Sequence, residues 1–410
     1  MRSILKQASW LFFAQTLTRI IGFLYTIFLA NSLGVLNFGL YSVAIAYFSI
    51  ISAICDFGFN RFLIREISSK KQQSWQIIWN ILILRLTIVS VLFAIFSLGI
   101  YLFDPDRLRV SVLSLVSIAL LPQAVAITFD GVFVALAKLQ YSAAAAFVLS
   151  LATFFSGVFF IAKGFGIFGA ILGLILGQVI YMLILLYFVK KQEKFKSAPI
   201  SVPFLKEVLS GSIPYGILAV LGFLYFKIDT VILSYLRGNF ETGIYALGYK
   251  FLEALVFIPN ALSFALFPVL AKLHKDSPGK IKPLFLKSIK TMFILGLFAV
   301  AGYILVLPYV INTFLPKYTP AISVIKILSL TIPFMFVHVP ASVVLTSSDK
   351  YLKQVILFSV IPLTFNILFN IIFIPLFGLV AASWISVGSD ILSAAVIIFC
   401  VNKFVFKADE

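Results

Sequence analysis

Apolar runs of about twenty residues, the length that carries an α-helix across a bilayer, recur from one end of this 410-residue chain to the other. In hydrocarbon every backbone N–H and C=O must find a partner inside the protein, which leaves helices or a closed barrel. The runs are long and continuous, whereas barrel strands alternate over short segments, so a barrel is excluded. With 62% hydrophobic and only 11% charged residues, the chain reads as an all-α polytopic membrane protein.

Twelve spans are expected, at roughly 9–31, 41–60, 76–103, 110–136, 140–162, 166–189, 208–236, 244–271, 288–312, 321–346, 353–374 and 379–401. The first follows Arg2 and Lys6 but is too long for a signal h-region and carries Arg19, so it is expected to remain part of the chain. The net charge of +17 could suggest nucleic acid as a partner, but the basic residues sit in short loops beside apolar helices, and no nucleic acid is expected. Placing the N-terminus inside puts 22 of the 32 Lys and Arg residues in cytoplasmic segments and 5 outside, the other 5 lying within spans. That bias predicts a multi-pass protein of the cell inner or plasma membrane with both termini cytoplasmic.

The basic, proline-bearing stretch at 191–207 divides the chain into two groups of six spans, giving lobes at 1–190 and 208–410 joined by a cytoplasmic linker. The halves resemble each other. Gly34, Gly39 and Tyr41 recur as Gly238, Gly243 and Tyr245 at an offset of 204, and Phe165-Gly166 recurs as Phe377-Gly378 at an offset of 212. Six spans is an even number, so the second copy enters the membrane in the same orientation, a parallel pseudo-repeat with the substrate site expected between lobes.

Charges inside spans are the strongest pointers to function. Each costs about 2.5 to 3.5 kcal/mol at the centre of a lipid-facing helix, so they are expected to face a polar interior or one another. Arg19 shares a helix face with Gln15, Gly22 and Thr26, a polar stripe suited to a water-filled cavity; pairing to a neighbouring helix is the alternative. Arg85 lies about two turns from the cytoplasmic face, where cavity and snorkelling readings both stand. Asp56 is expected either to pair with Arg61 or Arg65 as a gate or to be solvated. Lys250 and Glu253 stand at i and i+3, where a structural ion pair forms readily. Asn366 and Asn370 share one face of the eleventh span, and Ser383, Ser386 and Asp390 share one face of the twelfth, with Asp229 of the seventh at similar height. Their oxygens could bind a hard cation, or a carboxylate could carry a proton; polar helix packing is the competing reading.

Other motifs carry less. Gly164, Gly166 and Gly169 spell G-x-G-x-x-G, but neither a preceding strand nor a following acid is present, so no dinucleotide site is expected. Gly169, Gly173 and Gly177 instead repeat every four residues, which lets another helix approach closely. Cys55 and Cys400 are expected to pack as small apolar residues, not to form a disulfide. His274 and His338 lack neighbours at metal-ligand spacing, and no P-loop, G-x-S-x-G or H-E-x-x-H pattern supports an enzyme.

Asp56-Phe57-Gly58 leading to Arg65-Glu66, Gly243-x-Tyr245 leading through Tyr249, Lys250, Glu253, Pro259 and Pro268, and Asn366, Asn370, Pro375, Gly378, Ala381 and Ala382 together span nearly the whole chain. In order and spacing this set resembles the polysaccharide flippases of the multidrug/oligosaccharidyl-lipid/polysaccharide exporter superfamily. The resemblance implies two six-helix lobes around a cationic cavity and alternating access. It also implies export of polyprenyl-pyrophosphate-linked glycans to the outer leaflet for cell-surface polysaccharide such as lipopolysaccharide. Arg19, Arg85, Lys227 and Gln15 are the expected pyrophosphate-binding set. Related peptidoglycan-precursor flippases hold sodium between the seventh, eleventh and twelfth helices, so Asp229, Asn366, Asn370, Ser386 and Asp390 are the expected coupling set for Na+ or H+. No other cofactor is implied. Membrane lipids are expected partners, with polysaccharide-assembly proteins as further candidates. The alternatives are a multidrug/cation antiporter of the same superfamily and a membrane glycosyltransferase or polymerase, the latter disfavoured because a large external loop with catalytic residues is lacking.

Overall fold

A single glycine turns the first helix of the chain into two spans. Arg2–Asp56 runs as one helical stretch except at Gly34, whose φ of 70° and ψ of 172° are not helical. Its parts are α1 (residues 2–33) and α2 (residues 35–56). The last long helix, Leu352–Val401, is broken in the same manner at Gly378 (φ 57°, ψ −138°) into α11 (residues 352–377) and α12 (residues 379–401). Positive φ at these turns favours a residue without Cβ.

The computed structural model describes the backbone of residues 2–69, 74–192 and 199–406, and side chains over 16–68, 75–191, 199–348 and 350–406. Between the two broken helices lie α3 (Ser74–Phe103), α4 (Arg107–Ala135, with a one-turn irregularity after Ser117), α5 (Leu139–Ala162) and α6 (Gly166–Gln192). They are followed by α7 (Val202–Arg237), α8 (Asn239–Asp276), α9 (Pro278–Phe314) and α10, whose halves Ala321–Ser329 and Ile332–Thr346 meet at 47°. At that bend Leu330 and Thr331 donate to residues three back, and Pro333 has no N–H to continue the ladder. Among the described residues nine helices are long and apolar enough to span, ten with bent α10. Two of these, 41 and 55 residues long, are the stretches that Gly34 and Gly378 break, so the chain presents about twelve membrane-length segments in an all-α fold.

The second and eighth spans start earlier than expected. A one-residue glycine turn needs no loop, so the polar residues around Asn37 and Glu241 are already helical. The repeat is visible in the backbone: Gly34 and Gly238 share one conformation (φ 70° and 84°, ψ 172° and 175°), and Gly166 and Gly378 have φ of 50° and 57°.

The chain forms two units, Met1–Leu33 with Val43–Phe223, and Gly34–Ser42 with Leu224–Glu410. The start of α2 thus belongs to the second unit, and the first part of α7 to the first. In the first unit α5 and α6 pack most intimately. A Cβ on Gly169, Gly173 or Gly177 would lie 2.9 Å from Phe160 backbone, 2.6 Å from Gly157 Cα and 2.0 Å from Thr153 Oγ1, so the four-residue glycine repeat is the face that meets α5. The amphipathic helix Phe59–Ser69 buries Phe59, Phe62, Leu63 and Ile67 in a core with Phe129 and Phe133 of α4. In the second unit the start of α2 meets the start of α8 at Gly39 and Gly243, and Pro333 packs on Gly296 of α9. Cys55 and Cys400 are both free and buried.

Candidate functional site

Two polar clusters in the second unit share the helix pair α7 and α8. In the first, Tyr245 Oη donates to Asp229 Oδ2 at 2.5 Å, Ser386 Oγ donates to the same oxygen at 3.2 Å, and the Thr230 N–H donates to Oδ1 at 3.2 Å. Asp229 is 1% exposed, and no Lys or Arg side chain stands within ion-pair distance among the described residues. Such a carboxylate is costly to bury unless a cation or a proton offsets its charge. Beside it on α12, one turn beyond Ser386, Asp390 accepts from Tyr225 at 2.6 Å, and the two carboxylates lie within electrostatic reach of each other.

Asn370 donates to Asn366 Oδ1 at 3.0 Å, and Asn366 donates to Ser389 Oγ at 3.3 Å. Both amides are buried, and Asn370 Oδ1 has no hydrogen-bond donor. An orphaned buried amide oxygen on the helix pair that carries Ser386 and Asp390 suits a hard cation, which takes oxygen ligands. Asn366 meets Ser389 of α12, and Ser383, like Ser386, bonds a carbonyl one turn back on its own helix. Tyr245 was legible as a repeat position and within the Gly243-x-Tyr245 stretch; nothing in the spacing signals that its hydroxyl reaches Asp229, sixteen residues earlier, because the glycine turn at 238 folds α8 back along α7.

The second cluster is cationic. Glu253 Oε1 accepts from Lys227, and its Oε2 accepts from Lys250 at 2.7 Å. The i, i+3 pair of α8 is present, and Lys227 joins it from α7. Two ammonium groups on one carboxylate leave a net positive site, and all three side chains are partly exposed.

The first unit holds a different arrangement. Arg85 is 1% exposed; its guanidinium bonds Asp56, Thr128 Oγ1 at 2.6 Å and Ala124 O at 3.4 Å. Arg85 is buried, its Nε finds no acceptor, and with Asp56 and Gln123 it lines a small void of about 10 Å³. The pairing corrects one expectation: Asp56 pairs with Arg85, not with Arg61 or Arg65. The reason is local: Phe57 (φ 39°) and Gly58 (φ 79°) turn the chain sharply after α2, so Asp56 accepts from the Asn60 N–H at 3.3 Å and faces α3. Arg61 lies over the Tyr215 ring at 5.9 Å, and Arg65, over the Phe62 ring, pairs with Glu66 at 3.3 Å. Arg19 is exposed on α1, and on its helical face Thr26 Oγ1 bonds Gly22 O. The Gln15 side chain lies outside the described residues.

The sequence pattern of the family described as "Polysaccharide biosynthesis protein" matches residues 4–274, and that described as MatE matches residues 214–372. The chain is 24% identical to the uncharacterized membrane protein MJ1068 of Methanocaldococcus jannaschii, over 97% of this chain and 84% of that one. Among solved structures it resembles the lipid II flippase MurJ in an inward closed conformation (TM-score 0.78, 15% identity, 97% of this chain and 88% of that one). It also resembles a MOP superfamily transporter of Pyrococcus furiosus (TM-score 0.72, 16% identity, 99% and 96%). An inward-facing MATE family multidrug resistance transporter is similar too (TM-score 0.72, 16% identity, 96% and 95%). These likenesses establish the MOP transporter fold.

Proposed function

Because the chain belongs to the polysaccharide biosynthesis protein family, whose pattern covers residues 4–274, we propose that it flips polyprenyl-pyrophosphate-linked oligosaccharide from the inner to the outer leaflet, coupled to Na+ or H+. One observation carries the reading. The carboxylate cluster at Asp229 and Tyr245 and the cationic cluster at Lys227, Lys250 and Glu253 are built on the same two helices, α7 and α8.

Lys227 stands two residues from Asp229, and Lys250 five from Tyr245. Binding a cation or proton at Asp229 removes the negative charge that Tyr245 and Ser386 hold, which resets the packing of α7 on α8. The same helices then shift the two lysines that attract a pyrophosphate. Coupling of this kind requires that each ligand favour the same arrangement of the shared element, and the effect is reciprocal. Arg19, exposed and carrying a planar fork of donors suited to phosphate oxygens, is assigned to substrate as well. The multidrug antiporter reading is weaker, since an organic cation is repelled by the net positive Lys227–Glu253–Lys250 cluster.

The test is reconstitution in vesicles loaded with lipid-linked oligosaccharide, following exposure of the sugar to an impermeant reagent. Flipping should exceed that of protein-free vesicles and respond to a sodium or proton gradient. Absence of flipping under either gradient, with organic-cation transport in the same vesicles, would reject the proposal.

A further inference from the structure

A groove of about 610 Å³ opens on the surface of the second unit between α9, α10 and α12. Leu286 and Phe293 of α9, Phe334 of α10, and Ala395 and Ile398 of α12 line it, and every lining residue is apolar except Lys290. Nearby residues of α9 and α12, Leu295, Phe298 and Phe399, are large, apolar and exposed, as on helix faces that meet lipid. A groove on such a face is filled by hydrocarbon, because water there would find no hydrogen-bonding partner.

Lys290 decides which lipid. It is exposed, and among the described residues no carboxylate lies within ion-pair distance of it. One end of the site lies where the start of α9 meets the end of α12. There Phe285 and Phe406 are in ring contact at 5.5 Å, Lys282 lies over Phe406 at 5.8 Å and Lys403 over Phe399 at 5.5 Å. From Leu286 to Phe293 on α9, and from Ile398 back to Ile391 on α12, the groove follows two turns of each helix, roughly 10 Å, away from that lysine-rich end. An apolar trough that carries one lysine and opens near a lysine-bearing helix end matches a chain whose polar end is anionic, and basic pockets between spans bind such head groups.

We propose that this groove is a specific site for an anionic glycerophospholipid, one acyl chain lying against Phe293, Phe334 and Ala395 and the head-group phosphate meeting Lys290. The assignment does not depend on what the protein transports.

The purified full-length chain in detergent would be titrated with phosphatidylglycerol, with phosphatidylcholine of identical acyl chains and with undecaprenyl phosphate, reading thermal stabilisation and lipid retained in native mass spectrometry. Phosphatidylglycerol should stabilise most. Lys290→Gln should weaken its apparent affinity about fivefold, the loss of one lysine at a membrane surface, and leave phosphatidylcholine unaffected. Ala395→Trp, which fills an exposed part of the groove floor, should abolish the preference. Leu305→Trp, on a lipid-exposed position outside the groove, should preserve it and shows that a surface tryptophan is tolerated. Equal stabilisation by the two phospholipids, full affinity in Lys290→Gln, or stronger binding of undecaprenyl phosphate than of phosphatidylglycerol would each overturn the assignment.

Discussion

Gly39 and Gly243, 204 positions apart, present their missing side chains to each other's helix: a Cβ on Gly39 would sit 1.9 Å from the Asn239 carbonyl oxygen, and one on Gly243 would sit 2.1 Å from the Val35 carbonyl oxygen. Val35 and Asn239 are themselves 204 apart. Equivalent positions of the repeat therefore meet, backbone on backbone.

That contact leaves no room for a methyl group. Gly39→Ala and Gly243→Ala should each destabilise by about 1 to 3 kcal/mol or more, since the obstacle is backbone and cannot rotate away. Gly22→Ala, with nothing within 4 Å of its added carbon, should be neutral or slightly stabilising. Thermal unfolding of the three purified variants in one detergent measures the difference.

Arg85 and Asp56 should behave as a buried pair. Arg85→Met or Asp56→Asn alone strands one partner and should cost about 3 to 5 kcal/mol, whereas the combined Arg85→Met, Asp56→Leu change should recover much of that. Because the guanidinium is enclosed, the double variant should also retain flipping. Abundance and transport measured together separate a structural arginine from a substrate ligand.

At the coupling cluster, Asp229→Asn should remove the response of flipping to an ion gradient while substrate binding persists, and Asp390→Asn should weaken it. Asn370→Ala deletes the unpartnered amide oxygen and should lower apparent sodium affinity if sodium is the ion, with no effect on a proton-driven rate. Flipping followed against each gradient in turn reads all three variants.

Arg19→Ala should slow flipping by roughly ten- to a hundredfold, the worth of a charge-assisted contact to phosphate, and Arg19→Lys should restore part of it. Protein level and melting temperature measured alongside separate the loss of a substrate contact from the loss of a contact within the protein. Rates normalised to protein incorporated in the vesicles give the comparison.

Orientation can be read with an impermeant thiol reagent on intact cells. Cysteine at Phe240, which is exposed beside the Gly238 turn, should react, and cysteine at Gly279 should not, since the charge bias predicts that the lysine-rich segments lie inside. The native Cys55 and Cys400 are buried and contribute little background.

Span number and the glycine repeat were legible because each rests on local information: twenty apolar residues make a span, and a glycine four residues from another makes a close-packing face. The polar faces of α11 and α12 were legible for the same reason. Partner choice was not. Asp56 sits five residues from Arg61 yet bonds Arg85, because the Phe57-Gly58 turn sends it toward α3. Tyr245 likewise gives no local sign of its bond to Asp229, which depends on how α8 returns along α7. Nor does the apolar composition of α9, α10 and α12 reveal a groove, which is a property of their spacing.

The turn shared by Gly34 and Gly238 marks where the two copies of the repeat keep one backbone. The side chains of the copies are nonetheless chemically unequal. By the same offsets Tyr25 stands where the second copy has Asp229, Gln178 where it has Asp390, and Phe154 where it has Asn366. At these three positions the first copy offers no carboxylate, and the acid it does hold at Asp56 is tied to Arg85, so the charge-linked step proposed at Asp229 would have no equivalent at Tyr25.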